Sequence, residues 1–463
     1  MAELTGRTLA TELYTAAVRG AAAGPVTARA VGELPLDGKQ RVWVFAIGKA
    51  AHVMAAATIG VLQRSLHEIA GGIIVPTDAE PSPHPTLIVT TGDHPVPGAR
   101  SFRAAQRLGD LCTGLRPTDA IIILLSGGAT SLIAAPARGI ADQDLIALFE
   151  LLLGSGLAIT EMNAVRRRFT RWGGGRLALA LAPRSAHCLA LSDVVGDELA
   201  TIGSGPCVPD PMTARDVVRI LDQARLTKRL PPSVRDFLTG STRGVIPETL
   251  KPNHPAFAHV TARVVANNRA ALDGATVKAF ELGLPARIVT APLTGEAATR
   301  GAELARSLLA LREMTPRGER RCLVWGGETT VKLGKPLTVG SKRAGPAAGA
   351  STGALALLQD AQPLGGRCQE FALAAARVLG AAGEHAAGIT LLAAGTDGRD
   401  GPTDAAGAIV DATTWAAIRA AGFNPDDALA THSSYAALDA ANALLKTGPT
   451  GTNVMDIVIG LVE

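Results

Sequence analysis

The sequence is poor in aromatic side chains: Phe, Trp and Tyr together make up 3% of its 463 residues. Its core must therefore be built from Ala, Val, Leu and Ile, and a hydrophobic share of 47% supplies them amply. Cysteine is scarce as well. The five cysteines (Cys112, Cys188, Cys207, Cys322, Cys368) form no CxxC pair, which excludes the common zinc frames. Their odd number favours free thiols over a disulfide scaffold. Long apolar runs are missing too. The longest, "AIIILLSGGATSLIAA", is broken by two glycines and is too short for a bilayer. The opening "MAELTGRTLATELYTAAVRG" alternates charge and apolar residues like an amphipathic helix, without the apolar centre of a secretion signal. A cytoplasmic protein with no membrane partner is expected. Nor does one sign of charge dominate, with 45 Lys and Arg against 41 Asp and Glu. The run Arg166–Arg168 reads as a solvated helix face, so no nucleic-acid partner is expected.

What the chain does have is a repeated pattern of short β-branched run, glycine turn and helical segment. Runs at 41–47, 72–76, 86–91, 120–125 and 187–192 are followed, later in the chain, by others at 259–266, 286–290, 321–327, 388–395 and 454–462. Such alternation predicts an α/β fold of two domains with mostly parallel sheets. The stretch 231–256, rich in proline and polar residues, is the best boundary, dividing a Rossmann-like domain over 1–240 from a second over 257–463. Residues 335–364, dominated by Gly, Ala, Ser and Pro, read as a flexible surface insertion.

Ligands of open α/β sheets bind beyond the carboxyl ends of strands, so the strand ends carry the candidates. In "VFAIGKAA" Lys49 follows a strand directly, placed either to hold a phosphate or simply to reach solvent. In "LLSGGATSL", Ser126, Gly127 and Gly128 can bring unshielded backbone N–H groups to an anion. In "LALSDVVGDEL", Asp193 suits a magnesium site or a helix cap equally well. Arg367 heads a helix in "GGRCQEFA", where it opposes the helix dipole, which favours a ligand-directed role. The loop "KTGPTGTN" brings Lys446, Thr447, Gly448, Thr450, Gly451, Thr452 and Asn453 into a tight turn that can wrap a phosphate. "AAGTDGRDGPTDAAGAIVD" has several acids, but Arg399, Gly401 and Ala408 occupy positions at which an EF-hand needs ligands, so calcium is excluded. Asp397, the first acid after the strand, remains the candidate; Asp400 and Asp404 suit turn and capping bonds. "GGGRLA" at 173–178 matches a loose dinucleotide pattern, but no strand precedes it and no G-x-G-x-x-G occurs.

In order, "AIGKAA", "GDHPVPGARS", "LLSGGATSL", "MNAVRRRFTRWGGGRLA", "SDVVGDELATIGSGPCVPD", "NNRAAL", "GGETTVKL", "GGRCQEFALA", "GTDGRDGPTDAAGAIVD" and "KTGPTGTNVMDIVIGL" span nearly the whole chain. The sequence thereby resembles the glycerate 2-kinase family, two-domain proteins with a MOFRL region, many of which bear the name hydroxypyruvate reductase. The resemblance implies ATP- and Mg²⁺-dependent phosphorylation of D-glycerate at its 2-hydroxyl, in a cleft between the domains. By motif it makes Lys49 and Arg367 the catalytic cations, and Asp193 and Asp397 the active-site or metal carboxylates. Ser126, Gly127, Gly128 and the 446–453 loop become the nucleotide-binding set, and a homodimer is left open. An NAD(P)H-dependent hydroxypyruvate reductase is the alternative, which the missing fingerprint disfavours. Two positions depart from the family pattern: Cys368 replaces Asn, and His432 stands where Asn is expected.

Overall fold

A computed structural model describes residues 5–38, 40–331 and 364–463. All of the expected insertion except Leu364 lies outside the described residues.

The first sheet comprises β1 (Arg41–Ile47), β2 (Glu68–Val75), β3 (Leu87–Val89), β4 (Ala120–Leu125), β5 (Ser185–Leu191) and β6 (Val260–Ala266). Its order is β3-β2-β1-β4-β5-β6, and all five pairings are parallel. The β-branched run of β4 is buried along its whole length, as a central strand covered on both faces requires. This is the doubly wound order whose direction reverses between β1 and β4, so a crevice opens at their carboxyl ends. Lys49 follows β1 and Ser126 follows β4, which places two candidates at that point.

The second sheet comprises β7 (Ala286–Ile288), β8 (Arg321–Gly327), β9 (Ile389–Gly395), β10 (Gly407–Asp411), β11 (Leu444–Leu445) and β12 (Asp456–Val462), in the order β11-β10-β9-β12-β8-β7. Only β7 and β8 pair in parallel; the other four pairings are antiparallel. The α/β class stands, and parallel pairs predominate over the two sheets together, but this sheet is mixed. Strands β10 and β11 were not expected. The first of them, "GAIVD", is the tail of the acidic stretch, and it is a strand because β9 beside it supplies the ladder.

The chain divides into a unit of 21–268 with 451–454, and a unit of 1–20, 269–450 and 455–463. The expected division, 1–240 and 257–463, is shifted in three ways. Strand β6 completes the first sheet. The supposed boundary holds a helix, Pro232–Thr242, whose Val234, Phe237 and Leu238 join the core of the first unit. Helix α1 (Gly6–Gly20) belongs to the second unit, where Leu13 is buried and the Tyr14 hydroxyl donates to the Gly395 carbonyl at 2.7 Å.

Helix α2 (Ile159–Phe169) corrects another expectation. Successive residues on a helix point about 100° apart, so three consecutive arginines face three directions. Here all three are buried, at 5%, 2% and 0% exposure for Arg166, Arg167 and Arg168. Arg167 donates to the Ala200 carbonyl at 2.8 Å and lies 3.5 Å from Asp210; Arg168 pairs with Glu248. No helix among the described residues is long and apolar enough to cross a membrane.

Candidate active site

In the first unit the site grows from two glycine turns pressed together. Gly48 has φ +129°, and a Cβ there would meet the Ser126 hydroxyl at 2.2 Å and its carbonyl oxygen at 2.5 Å. Only glycine lets the end of β1 pass that close to the end of β4. The turns are stitched by Lys49 N–H to the Gly127 carbonyl (2.9 Å) and Ala50 N–H to the Ser126 hydroxyl (3.0 Å). Ser126 is fully buried, and its hydroxyl accepts the Ala50 bond that joins the two turns. The backbone N–H groups of Gly127 and Gly128 donate to nothing among the described residues. Two such donors at a switch point suit an oxyanion.

Asp193 and Asn453 close the other side. A Cβ on Gly127 would lie 2.2 Å from Asp193 Oδ2 and 2.7 Å from Asn453 Nδ2, and the amide stands 3.4 Å from that carboxylate oxygen. Asn453 is held there because Thr452 donates to the Ala21 carbonyl (2.6 Å) and Asn268 to that of Val454 (2.7 Å). Thr452 is thus an anchor. Sequence reasoning passed over His94. Its ring lies against Gly128, with Cδ2 3.0 Å and Nε2 3.3 Å from where a Cβ would be; Lys49 Cγ is 3.7 Å from the same point. By area the residue is exposed, yet protein crowds it. Desolvation first, then the charges of Lys49 and Arg166, hold the imidazole below its ordinary value, at about 4.

The second unit carries the other candidates. Helix α3 (Arg367–Ala382) starts with Arg367, whose Nε and Nη2 bind Asp456 Oδ2 and Oδ1 at 2.6 and 2.8 Å, while Nη1 reaches Glu328 at 3.0 Å. An arginine has five N–H donors, so these contacts leave donors over. Desolvation opposes the charge, but Asp456 and then Glu328 outweigh it and hold the guanidinium firmly protonated. Asp397 stands close by: its Oδ1 and that of Asp456 lie 3.2 and 3.6 Å from the Cβ position of Gly395. Arg399 N–H donates to Asp397 Oδ1, and Thr450 N–H to the Asp397 carbonyl.

Asp400 caps α3, accepting from Cys368 N–H (3.1 Å) and Gln369 N–H (2.8 Å), which is the capping work expected of it. Burial, then Asp456, push its carboxyl up to about 7 against those two bonds. Thr447 and Gly448 sit on the acidic loop, with the Gly448 carbonyl 2.1 Å from where a Cβ on Gly398 would be. Lys446 is drawn elsewhere, to the Tyr435 hydroxyl (2.9 Å), Asp439 (3.3 Å) and Asp404 (3.5 Å). Cys368 is buried in the core, and His432 bonds Glu370 at 2.8 Å. Asp456 and Glu328 were missed, although a carboxylate opening the apolar final strand was a legible signal.

No group of three or more His, Cys, Asp or Glu among the described residues could cage a metal ion. Mg²⁺ needs no such cage, because one or two carboxylates with water and phosphate oxygens fill its shell. Asp193 in the first unit and Asp397 in the second each offer one carboxylate of the kind such a shell uses.

A doubly wound sheet with bared N–H groups beside a lysine, together with an arginine–carboxylate cluster on a mixed sheet, defines a two-unit α/β protein equipped for anionic ligands. The comparisons with known proteins agree. A domain of unknown function (DUF4147) matches residues 9–239, and the MOFRL family matches 321–456. The D-glycerate 2-kinase of Thermotoga maritima is 35% identical over 94% of each chain. A protein of Agrobacterium vitis with a provisional hydroxypyruvate reductase name is also 35% identical, over 98% of this chain and 94% of its own. A crystal structure of glycerate kinase from Thermotoga maritima superposes with a TM-score of 0.79 at 33% identity, covering 98% of this chain and 99% of that one. The chain belongs to the glycerate 2-kinase family.

Proposed function

We propose that the protein transfers the γ-phosphoryl group of ATP to the 2-hydroxyl of D-glycerate, giving 2-phosphoglycerate and ADP. The observation that carries this reading is the turn at Gly127, where two unbonded N–H groups, Lys49, Asp193 and Asn453 converge. Phosphoryl transfer spreads negative charge over the transferred group, so a protein serves it by positioning reactants and supplying cations.

In this reading the N–H groups of Gly127 and Gly128 hold phosphate oxygens, with the 446–453 loop adding contacts through Thr447, Gly448, Thr450, Gly451 and Asn453. Lys49 and Arg367 neutralise charge on the transferred group. The hydroxyl oxygen bonds to phosphorus as the bond to the β-phosphate oxygen breaks, and the hydroxyl proton passes to a carboxylate, Asp193 or Asp397. Mg²⁺, when bound, would add charge neutralisation at the phosphates, and Asp193 or Asp397 would supply a carboxylate to hold it. Asp456 keeps Arg367 in place. The partners are small molecules in a cytoplasmic setting.

The reductase reading draws on the provisional name of the Agrobacterium vitis relative and on the doubly wound strand order. Against it, the turn after β1 reads "IGKAAH" rather than G-x-G-x-x-G, and Gly173–Gly175 follow a helix, not a strand. Incubation with D-glycerate and Mg-ATP, and separately with hydroxypyruvate and NAD(P)H, decides. ADP and 2-phosphoglycerate support the kinase; NAD(P)H oxidation without ATP overturns it.

A further inference from the structure

His94 lies in the connection between β3 and the helix Ala99–Thr113, and the backbone on both sides of it is tied down. Gly92 packs so tightly that a Cβ would come 2.4 Å from the Leu132 carbonyl. Asp93 donates its N–H to the Ser101 hydroxyl at 2.8 Å and accepts from Arg100 N–H at 2.9 Å, while its other oxygen meets Arg100 Nε at 2.6 Å. The Pro95 carbonyl accepts from the Ser131 hydroxyl at 2.7 Å. Between these anchors the imidazole itself forms no hydrogen bond among the described residues. An exposed ring on a fixed backbone, with both nitrogens unused, is placed as a ligand contact would be.

The charges around it specify what it would meet. Lys49 converges on the same glycine, Gly128. Arg166, also close enough to act on the imidazole, pairs with no carboxylate among the described residues. Its Nη1 meets Asn163 Oδ1 at 3.3 Å, its guanidinium lies 4.7 Å over Phe149, and Nε and Nη2 have no partner. A buried cation without a counter-ion favours any anion that comes within its field.

We propose that His94 binds the carboxylate of the hydroxy-acid substrate, its ring N–H donating to that oxyanion beside the ammonium of Lys49, in the positive field of Arg166. The low affinity of this imidazole for a proton keeps it neutral near pH 7, with one nitrogen free to donate and the other to accept. Lys49 is left to face the phosphoryl group, and the acid is oriented by a group other than the catalytic cations. The assignment rests on the kinase reading for the identity of the acid.

The test uses the full-length protein as wild type, His94→Ala and His94→Gln, with thermal melting to confirm that each is folded. D-glycerate binding is measured by calorimetry, and KM for D-glycerate and for ATP by steady-state assay. Losing a hydrogen bond to a charged group is expected to weaken D-glycerate binding about 10- to 100-fold in the alanine variant. KM for ATP should stay within about twofold by the same argument, since no nucleotide contact is lost. Glutamine, which retains a donor, should recover part of the loss. Unchanged D-glycerate affinity in folded His94→Ala overturns the proposal while leaving the kinase reading intact, and so does a rise confined to KM for ATP. If wild type binds D-glycerate through His94 but transfers no phosphoryl group, the proposal stands and the kinase reading fails. If wild type does not bind D-glycerate at all, the proposal fails as well.

Discussion

Asp456 grips Arg367 along one edge of the guanidinium, with Nε to Oδ2 at 2.6 Å and Nη2 to Oδ1 at 2.8 Å, from a carboxylate that is itself 2% exposed. Two parallel bonds fix the plane of the cation as well as its position. The arginine at the head of one helix is thereby aimed by the first residue of the last strand, 89 residues further along the chain.

Asp456→Asn keeps the shape but removes the charge and one acceptor. It is expected to lower kcat about 10-fold or more, because a loosened cation stabilises the transferred group less well. Breaking a buried pair should also lower the thermal midpoint. Wild-type kcat in this variant would show that the pair does not aim Arg367 for the reaction.

Lys49→Ala and Arg367→Ala are each expected to reduce turnover at least ~100-fold, the scale of lost transition-state charge stabilisation. The effect should fall on kcat rather than on KM alone. Near-normal turnover in either variant removes that residue from the mechanism.

Gly127→Ala inserts a methyl group 2.2 Å from Asp193 Oδ2 and 2.7 Å from Asn453 Nδ2. Both side chains must move, and kcat/KM should drop by about 100-fold, since misplacement by an ångström is enough. Gly114→Ala is the control: φ is −87° and the nearest atom stands 3.6 Å away, so activity should be unchanged. Equal activity in the two variants would dissociate the turn from function.

Asp400 gives stability a pH dependence of definite sign. Its carboxyl is raised to about 7 in the folded protein, above the ordinary carboxylate value of the unfolded chain. The contribution of the protonated form is therefore fully present below that ordinary value and is lost as pH rises through about 7. Between pH 5 and 8 the thermal midpoint of wild type should fall more than that of Asp400→Asn, which does not titrate. Parallel curves would show that Asp400 is ionised throughout.

The strand-end placing of the candidate residues was legible because it is local. Lys49, the Ser126-Gly127-Gly128 turn, Asp193 and Asp397 each follow an apolar run that becomes a strand, and a strand end is where an α/β sheet presents its chemistry. That Asp400 would make capping bonds was legible, but not that the helix it caps begins at Arg367, earlier in the chain. His94 was not, since nothing in "GDHPVPG" marks a ring that will lie on Gly128, reached from another strand. The loop 446–453 was read as one surface, yet Lys446 turns to Tyr435 and Asp439 while Thr452 anchors to Ala21.

By itself the sequence determined the strands that carry the site, the glycines at their ends, the absence of a dinucleotide fingerprint and the family. All of these depend on residue type and spacing over a few positions. Tertiary structure alone decided which strands are neighbours and in which direction they pair. It also decided that helix α1 belongs with the second sheet, and that three consecutive arginines are buried rather than solvated. Those outcomes depend on partners distant in the chain, which bring the hydrogen bonds and counter-charges that no local pattern encodes.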